Sequence, residues 1–334
     1  MESAAPLGYL FVDRILGAAR DGAVIRARGM RAVTGRDPFP GWPGAAGLGP
    51  CFAAEAVGQL AAWVSMAECG FRRRPVAGLT AEARVHGAAL PGEVVILEAE
   101  IESIEEDAVH YHGRALAGGR LLVELRDVVG PMLPMEEFDD PAAVERAYGR
   151  LLRHGEAPAA VPCLGMPAAE APGTAACRIQ PPAAADSPDG AMAAVLRHPA
   201  VDRVLEMSPE RMVAAACVAR LAPYLAGHFP RKPVLPSTLL LDGQVALALA
   251  LVGGQGDPFR VDLLRHLKMR EFIGPGATVI SEVRISGRRE GRILLDLLGR
   301  VEGRVVSSAV AEMVRGDRDA AGPIPRAVEA DHVS

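Results

Sequence analysis

Two segments, residues 51–66 and 238–252, are apolar on almost every side of a helix, and each carries one carboxylate and no other charge. A helix without a polar face has to be covered all round, so the pattern predicts two central, buried helices. After the first come apolar runs rich in β-branched residues with partial alternation, at 94–101, 109–116 and 121–129; after the second come 279–285, 293–301 and 304–313. Gly118-Gly119 and Glu302-Gly303 fall between the last two runs of each set and predict tight hairpin turns. A curved antiparallel sheet wrapped around one buried helix satisfies both patterns, because the helix needs cover and the sheet needs one covered face. The expected class is α+β, with one such module built twice.

The duplication is legible in the letters as well. Val12-Asp13-Arg14-Ile15-Leu16 returns as Val201-Asp202-Arg203-Val204-Leu205, and the Pro91-Gly92 turn with its following strand returns at Pro275-Gly276. Order is kept while the offset drifts by a few residues, as duplication with small loop changes requires. The organisation read from this is an N-terminal module over 1–154, an Ala/Pro-rich linker over 155–190, a C-terminal module over 191–316 and a tail over 317–334.

Composition narrows the functional classes. Half of the 334 residues are hydrophobic and 23% are charged, the balance of a chain that buries real cores. The net charge of −5 has no basic block, and only two of the 36 basic residues, Lys232 and Lys268, are lysines, so nucleic acid is not an expected partner. Cys51, Cys69, Cys163, Cys177 and Cys217 form no CxxC pair, the usage expected of reduced thiols in the cytoplasm. The N-terminus lacks a cationic leader pattern and the longest apolar run is interrupted by Asp242, so no membrane segment is expected. Nucleotide-binding glycine motifs and the Gly-x-Ser-x-Gly elbow are missing, and no cofactor or metal is expected. His110 and His112 share a strand face without a third ligand at useful spacing, which favours a structural role. Arg72-Arg73-Arg74 ends the first helix and reads first as a solvated, dipole-complementing terminus, with an acidic carrier or CoA phosphate as the other reading.

The chemistry rests on the helix carboxylates, Glu55 and Asp242. A buried carboxyl tends to hold its proton, which suits a general acid; equally, it can be a structural acceptor for a nearby amide. Ahead of Asp242 lies Gly227-His228-Phe229-Pro230-Arg231-Lys232-Pro233-Val234-Leu235-Pro236-Ser237-Thr238, with Asp242 fourteen residues after His228. This stretch resembles the His-Phe-Pro motif of the bacterial 3-hydroxyacyl-acyl-carrier-protein dehydratases, a hot-dog-fold family. With the Val-Asp-Arg and Pro-Gly repeats, the resemblance covers both modules and implies a tandem, or double, hot-dog.

The first module departs from that pattern. Whether the motif position is matched to Gly41 or to Pro38, no histidine stands there, and none occurs before His86. Family dimers build each site across their interface, so an internal pseudo-dimer implies that His228 as base faces Glu55 as acid. Gln59, four residues after Glu55, matches a glutamine common in the family, whereas Asp242 is followed at that spacing by Ala246. Asp242 is then a secondary or vestigial group, or a structural partner near its helix start, facing Gly41 or its neighbours in a second site without a base. Backbone donors for the thioester oxygen are expected at Ser237, Thr238 and Cys51, where helix starts leave N–H groups free. Arg231 and Lys232 are the candidates for meeting a phosphopantetheine. Arg231 and Ser237 replace glycines common in the family. The implied activity is dehydration of a 3-hydroxyacyl thioester, on acyl carrier protein or CoA, to the 2-enoyl thioester in fatty-acid or polyketide-type biosynthesis. The alternatives are an enoyl-CoA hydratase and a catalytically silent acyl-binding scaffold.

Overall fold

The computed structural model describes residues 9–34, 47–153, 192–193, 195–225, 228–253 and 259–316. Gly41 and Pro38, the proposed linker and the tail lie outside the described residues. Among the described residues thirteen strands form the sheet: β1 (Arg14–Asp21), β2 (Val24–Ala32), β3 (Arg73–Pro75), β4 (Leu79–Val85), β5 (Val94–Ile104), β6 (Ala108–Ala117), β7 (Arg120–Pro134), β8 (Arg203–Ser208), β9 (Arg211–Cys217), β10 (Phe259–Met269), β11 (Thr278–Arg289), β12 (Arg292–Val301) and β13 (Arg304–Arg315). Three helices lie wholly among the described residues: α1 (Pro50–Glu68), α2 (Pro141–Leu151) and α3 (Ser237–Gly253).

Strand order runs β1-β2-β5-β6-β7-β4 in the first half and, read from the other edge, β8-β9-β11-β12-β13-β10 in the second, with β3 added on β7. The halves therefore repeat one topology and meet where β4 pairs antiparallel with β10, Ala83 opposite Leu264. These two joining strands are not among the sequence-expected elements, because charged residues interrupt their alternation and leave little period-2 signal. The expected helices and hairpins are present with slightly longer bounds.

The repeated motifs have repeated jobs. Asp13 accepts from the Ala32 amide at 2.7 Å, and Asp202 accepts from the Cys217 amide at 2.6 Å, so each Val-Asp-Arg aspartate pins the end of the neighbouring strand. Gly92 and Gly276 adopt φ of 92° and 85°, which a side chain disfavours, and donate to Val33 and Val218 at 2.8 and 2.7 Å. One continuous apolar cluster, including Phe52 and Leu60 of α1 and Leu240 and Leu247 of α3, fills both halves. Among the described residues no helix is long and apolar enough to cross a membrane.

Candidate active site

The helices touch near their N-terminal ends, and there the carboxylates cross. The Thr238 hydroxyl at the start of α3 is hydrogen-bonded to Oε2 of Glu55 on α1. Reciprocally, Cys51 at the start of α1 lies beside Asp242 of α3; burial pushes its thiol pKa well up, and the Asp242 carboxylate adds to the shift. Each half thus supplies a residue to the other half's acid.

Glu55 is further held by Gln59, whose Nε2 donates to Oε1 at 2.9 Å. The same amide nitrogen donates to the Tyr9 carbonyl at 3.1 Å while its oxygen accepts from the Phe11 amide at 2.8 Å. All three bonds use the one amide, so its orientation is fixed and the carboxyl is tied to the segment ahead of β1. Burial raises the Glu55 pKa, with the Thr238 and Gln59 bonds pulling partly back.

His228 comes from the other half. Its ring stacks on Phe229 at 4.2 Å between centroids and meets Tyr9 edge-on at 5.2 Å. Burial, followed by the positive charge of Arg74, lowers its pKa to about 3, so the imidazole is an unprotonated base at neutral pH. Phe229 holds a φ of 63°, a conformation strained for a bulky side chain, and Arg74 lies 4.7 Å above its ring. Arg74 is therefore not the solvated helix end expected from sequence. It lines the cavity, and burial, countered partly by Asp139, lowers its own pKa to about 10.

Glu55, Gln59, Cys51, His228, Ser237 and Thr238 line one cavity of about 500 Å³. Its remaining wall is largely aliphatic, with Ala62, Val109, Val123, Leu125 and Leu240 among the lining residues. The first intrahelical bond of α3 runs from Leu240 to the Pro236 carbonyl, which leaves the preceding amides of Ser237 and Thr238 as first-turn donors at the wall. Pro50 has no N–H, so at the start of α1 the amide of Cys51 leads.

Two further expectations change. Asp242, only 1% exposed, does not await a missing base: His198 Nε2 lies 3.0 Å from its Oδ2. The other ring nitrogen accepts the Ala200 amide at 3.0 Å, so Nε2 carries the proton and donates it. With its lone pair occupied, His198 is a staple between Asp242 and Ala200. Counting back through the repeat, His198 and Ala200 correspond to Tyr9 and Phe11; one imidazole does for Asp242 and Ala200 what the Gln59 amide does for Glu55 and Phe11. The signal for this histidine in the sequence is its place three residues upstream of the second Val-Asp-Arg segment. Gly243 makes room for it, since a methyl there would fall 2.9 Å from Nδ1. Finally, Arg231 and Lys232 are not among the cavity-lining residues. Arg231 Nη1 donates to the Glu136 carbonyl at 3.1 Å, and the Lys232 ammonium pairs with Glu137 at 3.3 Å, clasping the halves together across a short acidic turn.

A sheet curved around long buried helices is the hot-dog fold, and the chain shares its fold with a solved oleoyl thioesterase (putative) from Lactobacillus plantarum, at a TM-score of 0.50 and 9% identity over 87% of this chain and 96% of that one. Residues 205–308 match the ApeI-like family, described as ApeI dehydratase. The 3-hydroxyacyl-acyl-carrier-protein dehydratase FabZ of Thermotoga petrophila is 31% identical over 111 residues, 33% of this chain and 80% of that enzyme. The counterpart of Syntrophobacter fumaroxidans is 29% identical over 114 residues, 33% of this chain and 78% of its own length. The chain belongs to the 3-hydroxyacyl-acyl-carrier-protein dehydratase family.

Proposed function

We propose that the chain is a double hot-dog with one working site, which dehydrates a 3-hydroxyacyl thioester to the trans-2-enoyl thioester. The observation that carries this reading is that His228 of one half and Glu55 of the other line the same largely aliphatic cavity. The unprotonated imidazole takes the α-proton, and the electron pair left behind forms the Cα–Cβ double bond as the β-hydroxyl departs. Glu55 protonates that hydroxyl, which leaves as water. First-turn amides at Ser237 and Thr238 stabilise the charge that develops on the thioester oxygen. The aliphatic wall suits an acyl chain. The His198–Asp242 pair closes the opposite site. The substrate carrier is acyl carrier protein or CoA, in fatty-acid or polyketide-type biosynthesis in the cytoplasm, with the paired halves doing the work of a family dimer.

The test is turnover of 3-hydroxyacyl and 2-enoyl thioesters, each on carrier protein and on CoA. Dehydration or its reversal supports the reading; no turnover at any chain length, in either direction, overturns it in favour of a silent scaffold. The same assay separates the groups by pH. The base is free above about 3, and the acid is protonated below the raised pKa of Glu55, so kcat/KM rises through the first value and falls through the second. Glu55→Gln, which keeps an amide for the Thr238 and Gln59 contacts, lowers kcat by ~10²–10⁴-fold and removes the alkaline fall. An unchanged alkaline limb assigns the acid elsewhere.

A further inference from the structure

The elimination uses no group on the α3 side of the cavity beyond the helix start, yet two polar side chains are buried there. Gln244 is 2% exposed and Ser307 is 8% exposed; both line the cavity, and neither Gln244 Nε2 nor Ser307 Oγ has a hydrogen-bond partner among the described residues. They gather over Gly299 on β12. A methyl at Gly299 would fall 2.3 Å from Ser307 Oγ and 3.3 Å from Gln244 Nε2. Two groups so close to one point lie within reach of a single bridging oxygen.

The corresponding positions of the first half are apolar. Val57, Ala115 and Val123 occupy the repeat positions of Gln244, Gly299 and Ser307, and Ala115 pairs with Val123 across β6 and β7 as Gly299 pairs with Ser307 across β12 and β13. Apolar side chains are therefore accepted at the repeat positions of Gln244 and Ser307. The second half carries an amide and a hydroxyl where the first half has two valines, an unfavourable exchange in a core unless something bonds to them.

We infer that Gln244 and Ser307 form a polar subsite for an oxygen atom borne on the acyl chain beyond the reacting carbons. Both side chains are neutral, so the matching group is a hydroxyl or keto oxygen and not a carboxylate, which would call for a cation. This rests on the proposal that the cavity receives an acyl thioester, and it adds a substrate class: chains carrying a second oxygen function. An all-hydrocarbon chain would leave both groups unpaired, and a site built to bond an oxygen discriminates against the analogue lacking it.

The experiment uses inert acyl-pantetheine thioethers of about ten carbons, one fully saturated and the others with a single hydroxyl or keto oxygen at successive positions past the reacting carbons, titrated calorimetrically into the full-length protein. At least one oxygenated chain is expected to bind about tenfold more tightly than the plain chain. That advantage falls to about twofold or less in both Gln244→Leu and Ser307→Ala, while the plain chain binds as well or better and Tm holds or rises. Equal binding of plain and oxygenated chains by the unmodified protein means that the pair holds only water and overturns the subsite alone. An advantage that survives both substitutions overturns it too. Failure of every chain to bind, the plain one included, overturns the acyl cavity and the subsite with it.

Discussion

His228→Ala lowers dehydration by ~10²–10⁴-fold while the protein stays folded. No hydrogen bond among the described residues ends on this imidazole, so its removal orphans no partner; what is lost is ring packing against Phe229 and Tyr9. The pH behaviour separates this base from an ordinary histidine. Its pKa of about 3 means that activity shows no acidic fall near 6.5, and the substitution Arg74→Met, which removes a charge that lowers it, moves the acidic limb upward. Stability follows the same sign. Between 6.5 and about 3 the unfolded chain binds a proton that the folded chain does not, so the fold weakens as pH drops through that window, and His228→Ala flattens the dependence. A loss of less than about tenfold in a folded His228→Ala protein would assign proton abstraction to another group.

The largest effect on stability is expected at a residue outside the cavity lining. His198→Ala strips the buried Asp242 carboxyl of its donor and leaves the Ala200 amide without an acceptor, at a cost of about 3 kcal/mol, or a fall in Tm of roughly 5–10 °C. Asp242→Asn retains an oxygen to accept from Nε2, so it costs much less and leaves turnover within about threefold of the parent. Thermal melts of the two variants, compared with kcat/KM, discriminate between the roles. A folded Asp242→Asn protein that loses activity as severely as Glu55→Gln would make Asp242 the acid and reverse the assignment of the two halves.

How much of this the chain announces depends on the range of the interaction concerned. The buried helices are plain from periodicity because a helix wholly surrounded by core shows no polar stripe. The hairpins are plain because Gly118-Gly119 and Glu302-Gly303 mark local turns. The strands that join the halves are not, since β4 is held between β7 on one edge and β10, more than 170 positions away, on the other, and charged residues interrupt the alternation of both joining strands. Arg74 misleads in the same way: three consecutive arginines read as a solvated end, but the third is drawn over the Phe229 ring by a loop from the opposite half. Arg231 and Lys232 sit beside the motif histidine in sequence and point to Glu136 and Glu137 in space.

By itself, then, the sequence determined the duplicated α+β module, the two helix carboxylates and the single motif histidine, because duplication, helical burial and a short motif are all written in contiguous residues. The family resemblance already pointed His228 toward Glu55; only the tertiary structure shows that His198 occupies Asp242 and that Gln244 and Ser307 converge over Gly299. Each of those outcomes follows from packing one half against the other, or a helix against distant strands, where a side chain's partner is set by the three-dimensional path of the chain and not by its neighbours in sequence.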